Sequence, residues 1–230
     1  MINKLCIFIE KKYNSLISYK KYLLNTLYPD SRANTSYLNS ANNNISWNFK
    51  PLKDIGTITT GVTPKGTKNE VFDENGLLWI TANDLSNDKY ITDTKRRLNA
   101  SLVKKSKIIK EGSIFVSCIG IIGKIAINKE VCSCNQQINA ITPYDEYDSE
   151  YIYYTLQRYK NLLNSHASQS VTLLLKKSEF SSMKIPVTDM DNQRRIAEIL
   201  SAVDTKINLL NRKLDLTKKY KNMLFDKLVI

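Results

Sequence analysis

The spacing of apolar residues predicts a helix near the N-terminus. Apolar side chains recur there at helical intervals with lysines between them, at Leu5, Ile9, Leu16, Leu23 and Leu27. Pro29 provides a stop signal, so we expect a first helix over residues 1–29. A stretch dominated by Asn and Ser follows, and it predicts a surface linker over 30–46.

The C-terminal segment has the most regular pattern in the sequence. Beyond Pro186, two interleaved apolar series recur by sevens or multiples of seven, namely Ile196, Val203, Leu210 and Leu224, and Leu200, Ile207, Leu214 and Leu228. Two such series form the seam of a coiled coil. Asp189 or Asp191 can cap the start, and a helix over 191–228 would be about 57 Å long. We therefore expect a long helix over 189–230 whose seam contacts a partner, with the first helix as an obvious candidate.

Between the two helices the pattern changes to short apolar runs separated by turn residues. Runs rich in Ile, Val and Thr, at 77–81, 113–119 and 125–127, are typical of short strands. Residues 148–163 instead place apolar and aromatic side chains at helical intervals. We therefore expect an α+β fold, in which a mixed-sheet domain over 47–188 is flanked by long antiparallel coiled-coil helices.

Composition narrows the classes of function. Lys and Arg number 34 against 22 Asp and Glu, and the resulting net charge of +12 favours a polyanionic partner such as nucleic acid. No stretch reaches the roughly 18 apolar residues of a membrane-spanning helix, so we expect a cytoplasmic protein. Four cysteines, Cys6, Cys118, Cys132 and Cys134, lack zinc-site spacing, so we expect reduced, partly buried thiols and no bound metal.

Five local motifs occur in order from Trp47 to the C-terminus. They are an opening segment at 47–55 with Gly61-Val62-Thr63-Pro64, the segment 78–85 around Trp79, the strand and glycine turn at 112–124, the pair Asn135-Gln136, and a helix start at 192–207. In this order they resemble one half of the specificity subunit of Type I restriction–modification systems. Leu78 stands where that family usually has Pro, Cys118 where it often has Arg, and a glycine expected near 168–170 is absent.

The resemblance implies a target-recognition domain over 47–188 that reads a few base pairs of double-stranded DNA. Separate modification subunits would bind the helices, flip an adenine and methylate it with S-adenosylmethionine, and restriction subunits would join through them. Family members usually carry two recognition domains, whereas this chain has one. It is therefore either a natural half-subunit or half of a longer protein, and it could pair with a second copy or with another half-subunit about a two-fold axis.

The densest basic run marks a candidate DNA-binding surface. Residues 89–110 hold eight cations against one Asp, and such cations neutralise phosphates, whereas Asn, Gln and Arg read base edges. Our candidate DNA-binding residues are Thr63, Lys65, Lys68, Thr81, Asn83, Lys89, Lys95, Arg96, Arg97, Lys104, Lys105, Gln136, His166, Gln169, Ser170 and Thr172. The basic run could instead be a solvated face, the Asn135-Gln136 pair could stabilise a turn, and Trp79 is favoured as a core aromatic.

Two other classes of function compete with DNA recognition. In the first, the helices dimerise in an interaction protein and the basic charge is incidental. In the second, the chain is a small nuclease, for which Asp84 and Asp88 with Lys89 are the nearest fragment of a metal site. We find no adenine-methylation motif, no glycine-rich cofactor loop and no convincing nuclease cluster, so we expect a non-catalytic chain without a cofactor of its own.

Overall fold

The computed structural model describes residues 2–29, 45–86, 88–165, 167 and 173–228, with the backbone alone at 68, 106 and 226–228. The chain forms two compact units, one of Met1–Ile45 with Arg195–Ile230 and one of Ser46–Arg194. Its helices are α1 (Ile2–Thr26), α2 (Lys68–Val71), α3 (Ser149–Arg158), α4 (Lys160–Ser165), α5 (Lys177–Ser182) and α6 (Met190–Leu228). Its strands are β1 (Asn48–Pro51), β2 (Gly56–Thr60), β3 (Phe72–Ile80), β4 (Tyr90–Ile91), β5 (Arg97–Leu98), β6 (Ile114–Ser117), β7 (Ile125–Asn128), β8 (Cys132–Cys134), β9 (Ile138–Pro143) and β10 (Lys184–Val187).

Helices α1 and α6 pack antiparallel in the first unit. Cys6 and Ile9, early in α1, share a buried cluster with Leu214, late in α6. The Lys20 ammonium, late in α1, lies 2.7 Å from the Asp204 carboxylate, which is earlier in α6. The expectation that the first helix covers the seam of the long helix is thus met at Leu214. None of the helices that the structure describes is long and apolar enough to span a bilayer.

The predicted seam of α6 is buried along most of its length. Ile196, Leu200, Val203, Ile207 and Leu214 are buried, and Leu210 and Leu224 are half-buried. Leu228 is described by its backbone alone. The helix begins as expected, because the Asp189 carboxylate accepts the Asn192 backbone N–H at 2.9 Å and so caps the first turn.

The described residues of the second unit form three sheets. Five strands follow the order β2-β9-β6-β7-β4, three follow β5-β3-β8, and β1 pairs with β10. Most pairs are antiparallel, but β4 runs parallel to β7 and β3 runs parallel to β8. The two larger sheets are therefore mixed, and the expected α+β class is confirmed.

The core of this unit lies between the three-stranded and five-stranded sheets. Leu78 and Ile80 of β3 pack there with Phe115 of β6. Because successive side chains of a strand alternate between faces, Trp79 points to the other face of its sheet and packs with Val103. Trp79 is thus a core aromatic, as favoured from the sequence, and both layers hold β3 in place.

Two predicted elements differ in form from the observed ones, and a third lies almost wholly outside the described residues. The helix expected over 148–163 is two helices, because Tyr159 leaves the helical conformation with φ −99° and ψ 25° between α3 and α4. The opening segment 47–55 is a short strand followed by a 3₁₀ turn over Leu52–Asp54. The linker expected over 30–46 lies outside the described residues except for its last two.

Candidate nucleic-acid interface

Several loops meet where β3 and β8 end. Because these strands are parallel, the loops that follow them leave the sheet at the same edge. The Asn135 backbone N–H donates to the Ile80 carbonyl at 2.9 Å, and the Val62 N–H donates to the Cys134 carbonyl at 2.9 Å. The loop after β2 is thereby held beside the loops after β3 and β8.

The β6–β7 loop joins the same edge. The Cys118 backbone N–H donates to the Gln137 carbonyl at 2.8 Å, and the Lys124 ammonium donates to the Ala82 carbonyl at 3.3 Å. We call the four segments 61–65, 81–84, 118–124 and 135–137 the loop edge. Four motifs that are distant in sequence therefore form one surface.

Gly61 makes this convergence sterically possible. A Cβ atom at this position would lie 2.2 Å from the carbonyl oxygens of both Cys134 and Asn135. Contacts that short do not occur between real Cβ and carbonyl atoms, so only glycine lets the two loops approach so closely. The glycine of the Gly61-Val62-Thr63-Pro64 motif thus has a structural explanation.

Two candidate residues from separate loops contact each other at the loop edge. The Thr63 hydroxyl donates to Gln136 Oε1 at 2.5 Å, and both side chains are exposed. Lys65 and Asn83 are exposed in the same segments. Asn135, by contrast, is buried and accepts the Gln137 backbone N–H at 3.1 Å, so it stabilises the turn while Gln136 faces solvent.

Thr81 and Asp84 form the turn that follows β3. The Thr81 backbone N–H and hydroxyl both donate to Asp84 Oδ2, at 2.9 and 2.6 Å. Asp84 Oδ1 accepts the Lys95 backbone N–H at 3.0 Å. Thr81 is 8% exposed and shapes the turn from within. Asp84 links the loop edge to the basic run, a role that the sequence did not reveal.

The nuclease fragment does not form a metal site among the described residues. Both Asp84 oxygens accept protein hydrogen bonds, and the Asp88 carboxylate accepts the Ser86 hydroxyl at 3.2 Å. In the described part of the chain, no group of three or more His, Cys, Asp or Glu side chains is placed to hold a metal ion.

The cysteines are buried free thiols. Burial raises the pKa of the Cys118 thiol to about 11 and that of the Cys132 thiol to about 12. It raises the pKa of the Cys134 thiol as well. Thiolate is the form that binds metals and reacts as a nucleophile, and at neutral pH these thiols stay protonated. They pack as small apolar side chains.

The basic run separates into two groups. Lys95, Lys104 and Lys105 are exposed and make no ion pair with any described carboxylate. Lys89 instead pairs with Glu150 at 2.8 Å, and Arg97 pairs with Asp93 at 3.0 Å. The run is therefore not a uniform solvated face, because part of it holds the domain together.

The internal pairs also fix the charge of nearby acids. A hydrogen bond from the Thr94 backbone, followed by one from Arg97, lowers the pKa of the Asp93 carboxyl. Burial and a hydrogen bond to Glu150 raise the pKa of the Tyr90 hydroxyl. At neutral pH Asp93 is thus ionised beside Arg97. The Tyr90 hydroxyl keeps its proton and donates a hydrogen bond to the Glu150 carboxylate.

Arg96 differs from both groups. Its side chain is exposed, and its guanidinium lies over the Trp79 ring at 4.6 Å and over the Phe72 ring at 5.1 Å from the centroids. Neither the exposed lysines nor Arg97 has such a platform in the described structure.

The remaining candidates cannot be placed with the others. His166, Gln169, Ser170 and Thr172 lie outside the described residues, and Lys68 is described by its backbone alone. Lys124 is a polar residue of the loop edge that was absent from the candidates, although it stands in the glycine-turn motif. Its neighbour in the loop, Ile121, is 69% exposed.

Comparisons with known proteins identify relatives of this chain. It is 31% identical over 193 residues to the Type I restriction enzyme MjaIX specificity subunit of Methanocaldococcus jannaschii, covering 80% of this chain and 42% of that protein. It is 33% identical over 144 residues to the HindI specificity subunit of Haemophilus influenzae, covering 60% of this chain and 31% of that protein. The matched region thus covers less than half the length of each of these curated relatives.

A solved structure shares the fold. The HsdS subunit from Thermoanaerobacter tengcongensis superposes with a TM-score of 0.71 at 17% identity, over 98% of this chain and 53% of that one. The family model described as the Type I restriction modification DNA specificity domain matches residues 44–218, which include the whole loop edge and most of α6. This chain therefore belongs to the family of Type I restriction–modification DNA specificity domains.

Proposed function

We propose that this chain reads one half of a bipartite target in double-stranded DNA for a Type I restriction–modification enzyme. The observation that carries the proposal is the convergence of four loops with hydrogen-bonding side chains at one edge, which is bonded to the exposed residue Lys95. Asp84 connects the two surfaces through its contacts with Thr81 and Lys95. A surface of this kind offers both phosphate contacts and base contacts.

The side chains divide by chemistry into two roles. Lys95, Lys104 and Lys105 contact phosphates, because they are exposed cations without an acidic partner in the described structure. Asn83 and Gln136 contact base edges, because amides offer a donor and an acceptor side by side. Thr63 orients Gln136 through their hydrogen bond.

The chain itself is non-catalytic in this proposal. Modification subunits bind S-adenosylmethionine and methylate the target, and restriction subunits join the assembly through them. Membership in a specificity-domain family supports this division of labour. Asp84 supports it too, since its oxygens are engaged by the protein. Such a protein acts in the cytoplasm, where it meets chromosomal DNA.

The helices serve assembly. Helix α6 carries a second, exposed apolar stripe beside its seam, formed by Leu209, Leu216, Tyr220 and Met223, which are 46–67% exposed. Exposed stripes of this size call for a partner. We propose that the helices join the chain to a second recognition domain, from another copy or another half-subunit, and to the modification subunit.

Selection from a randomised duplex library tests the proposal. The chain, co-purified with its modification subunit, is incubated with the library at near-physiological salt, and bound DNA is sequenced. We expect a short motif repeated as an inverted pair around a fixed spacer. A single unrepeated motif would retain DNA recognition and contradict the symmetric dimer. No enrichment would favour the interaction protein instead.

Charge variants sharpen the test. Replacing Lys104 and Lys105 by Ala removes two cations, so the slope of log affinity against log salt should become less steep by about 1.8. Lys184→Ala, an exposed lysine of β10, is the matched control and should leave the slope unchanged. Equal slopes for all variants would exclude the lysine pair from the interface.

A further inference from the structure

Two aromatic rings hold the side chain of Arg96 in place and leave the N–H groups of its guanidinium exposed. Its guanidinium lies over the rings of Trp79 and Phe72 at 4.6 and 5.1 Å, and these rings lie 5.5 Å apart. Trp79 is itself held in place, because it is 4% exposed and packs in a buried cluster with Leu98 and Val103. Stacking on aromatic faces restricts a guanidinium without using its N–H groups. Arg96 therefore loses little conformational freedom when it binds a ligand.

The backbone of Arg96 lies next to the loop edge. Its carbonyl accepts the Trp79 backbone N–H at 3.3 Å, one residue before the end of β3. The preceding residue, Lys95, is bonded through its own N–H to Asp84 of the loop edge. The backbone of Arg96 is thus connected to the loop edge through the contact between Lys95 and Asp84.

The surroundings of Arg96 suit a base edge better than a phosphate. A cleft of about 420 Å³ beside it is also lined by Asp73, Glu74 and Asp93. Asp93 is paired with Arg97, which also donates to the Gly76 carbonyl at 3.3 Å. Carboxylates repel a phosphate but accept hydrogen bonds from base amino groups. Arg96 is exposed and makes no ion pair with a described acid, so its N–H groups are available to donate hydrogen bonds to a ligand.

We propose that Arg96 is a specificity-determining residue that reads a guanine of the target in the major groove. Its planar guanidinium donates two parallel hydrogen bonds to guanine O6 and N7, the geometry that favours guanine over the other bases. The inference rests on the proposed function, since it needs DNA on the loop edge. It assigns to one side chain a role that Lys95 and Arg97, its immediate neighbours, do not share.

The same library selection tests this assignment with Arg96→Ala, Arg96→Lys and Arg96→Gln in complex with the modification subunit. The wild-type motif should contain a position where guanine is preferred by roughly 5- to 150-fold. In Arg96→Ala this preference should fall to about twofold, with all other positions kept. Arg96→Gln should move it toward adenine, because an amide pairs with adenine N6 and N7.

Two further variants separate recognition from structure. Lys95→Ala should weaken binding to all sequences alike, whereas Lys184→Ala should change neither affinity nor motif. Thermal melting of each complex checks that the variant is folded. If Arg96→Ala unfolds, Arg96→Lys replaces it as a variant that keeps the positive charge over the aromatic rings. An unchanged motif in folded Arg96→Ala and Arg96→Gln variants would overturn the assignment and leave the proposed function standing. A wild-type protein that enriches no motif would overturn both.

Discussion

The pair of helices α1 and α6 and the loop edge use their side chains in opposite ways. Along α6, position within the heptad decides the role, and Leu214 is buried while Leu216, two residues on, is 67% exposed. In the basic run, which Asp84 links to the loop edge, neighbours of the same type have unrelated roles. Arg97 is paired with Asp93, whereas Arg96 lies over aromatic rings.

The difference follows from the range of the contacts. In a helix, the backbone repeats every 3.6 residues, so a short stretch of sequence fixes which side chains share a face. In the loop edge, the partner of each side chain comes from a distant segment, as Gln136 does for Thr63. A variant in the helix pair should therefore affect only residues on its own helix face and those that pack on it. A variant at the loop edge should affect residues from distant segments of the chain.

The largest effect should come from Gly61→Ala. The added Cβ would overlap backbone carbonyls of Cys134 and Asn135, which cannot move without disturbing β8. We expect the free energy of unfolding to fall by about 3–5 kcal/mol, measured by urea unfolding. Both tryptophans, Trp47 and Trp79, lie in the Ser46–Arg194 unit, so their fluorescence reports on it.

Gly120→Ala is the matched control for Gly61. Gly120 has no atom near its Cβ position, but its φ of +74° is unfavourable for other residues. We expect a cost of about 1–2 kcal/mol from this backbone strain alone. Equal losses for the two variants would mean that the close approach of the loops is not what requires Gly61.

Leu214→Ala should have the next largest effect, on the helix pair. Leu214 is 6% exposed and packs with Cys6 and Ile9, so its loss leaves a cavity that costs about 2–4 kcal/mol. Leu216→Ala should change stability by no more than about 0.5 kcal/mol. Helical circular dichroism during urea unfolding measures both, and a larger loss for Leu216 would show that the second stripe is also covered.

Asp84→Ala tests the link between the loop edge and the basic run. It removes the acceptor for two Thr81 groups and for the Lys95 N–H, so we expect a loss of about 1–3 kcal/mol. Asp88→Ala, which removes one exposed contact with Ser86, should cost about 0.5 kcal/mol or less. If Asp84→Ala instead left stability intact and abolished an Mg²⁺-dependent cleavage of DNA, the nuclease alternative would be correct.

The smallest effect concerns the cap of α6. The Asn192 backbone N–H lowers the pKa of the Asp189 carboxyl below its ordinary value of 3.8. The stabilisation is therefore complete above that value and is lost as the pH falls through the lower pKa of the folded state. Asp189→Ala should cost about 1 kcal/mol at pH 7.

This difference from wild type should shrink below about pH 4. Asp191→Ala is the control, because Asp191 lies in the first turn of α6 and should contribute only about 0.3–1 kcal/mol through the helix dipole. Thermal melts across pH measure both. A pH-independent loss for Asp189→Ala would show that the charge of the carboxylate is not involved.

Local patterns predicted the candidate surface in part. The motifs identified Thr63 and Gln136 as candidates, and the structure places them in contact. The count of basic residues in 89–110 gave no means of separating Lys89, which pairs with Glu150, from exposed Lys95. Glu150 lies 61 residues away from Lys89, and no periodicity links the two.

The sequence by itself determined the two helices, the α+β class and the apolar seam, because each follows from contacts or periodicities within a few residues along the chain. Only the tertiary structure decided which polar side chains form hydrogen bonds or ion pairs within the protein and which remain exposed. The antiparallel pairing of β3 with β5 brings Arg96 to its aromatic partners and Lys95 to Asp84. Such pairings join distant segments, and their register depends on the packing of the whole core rather than on any local pattern.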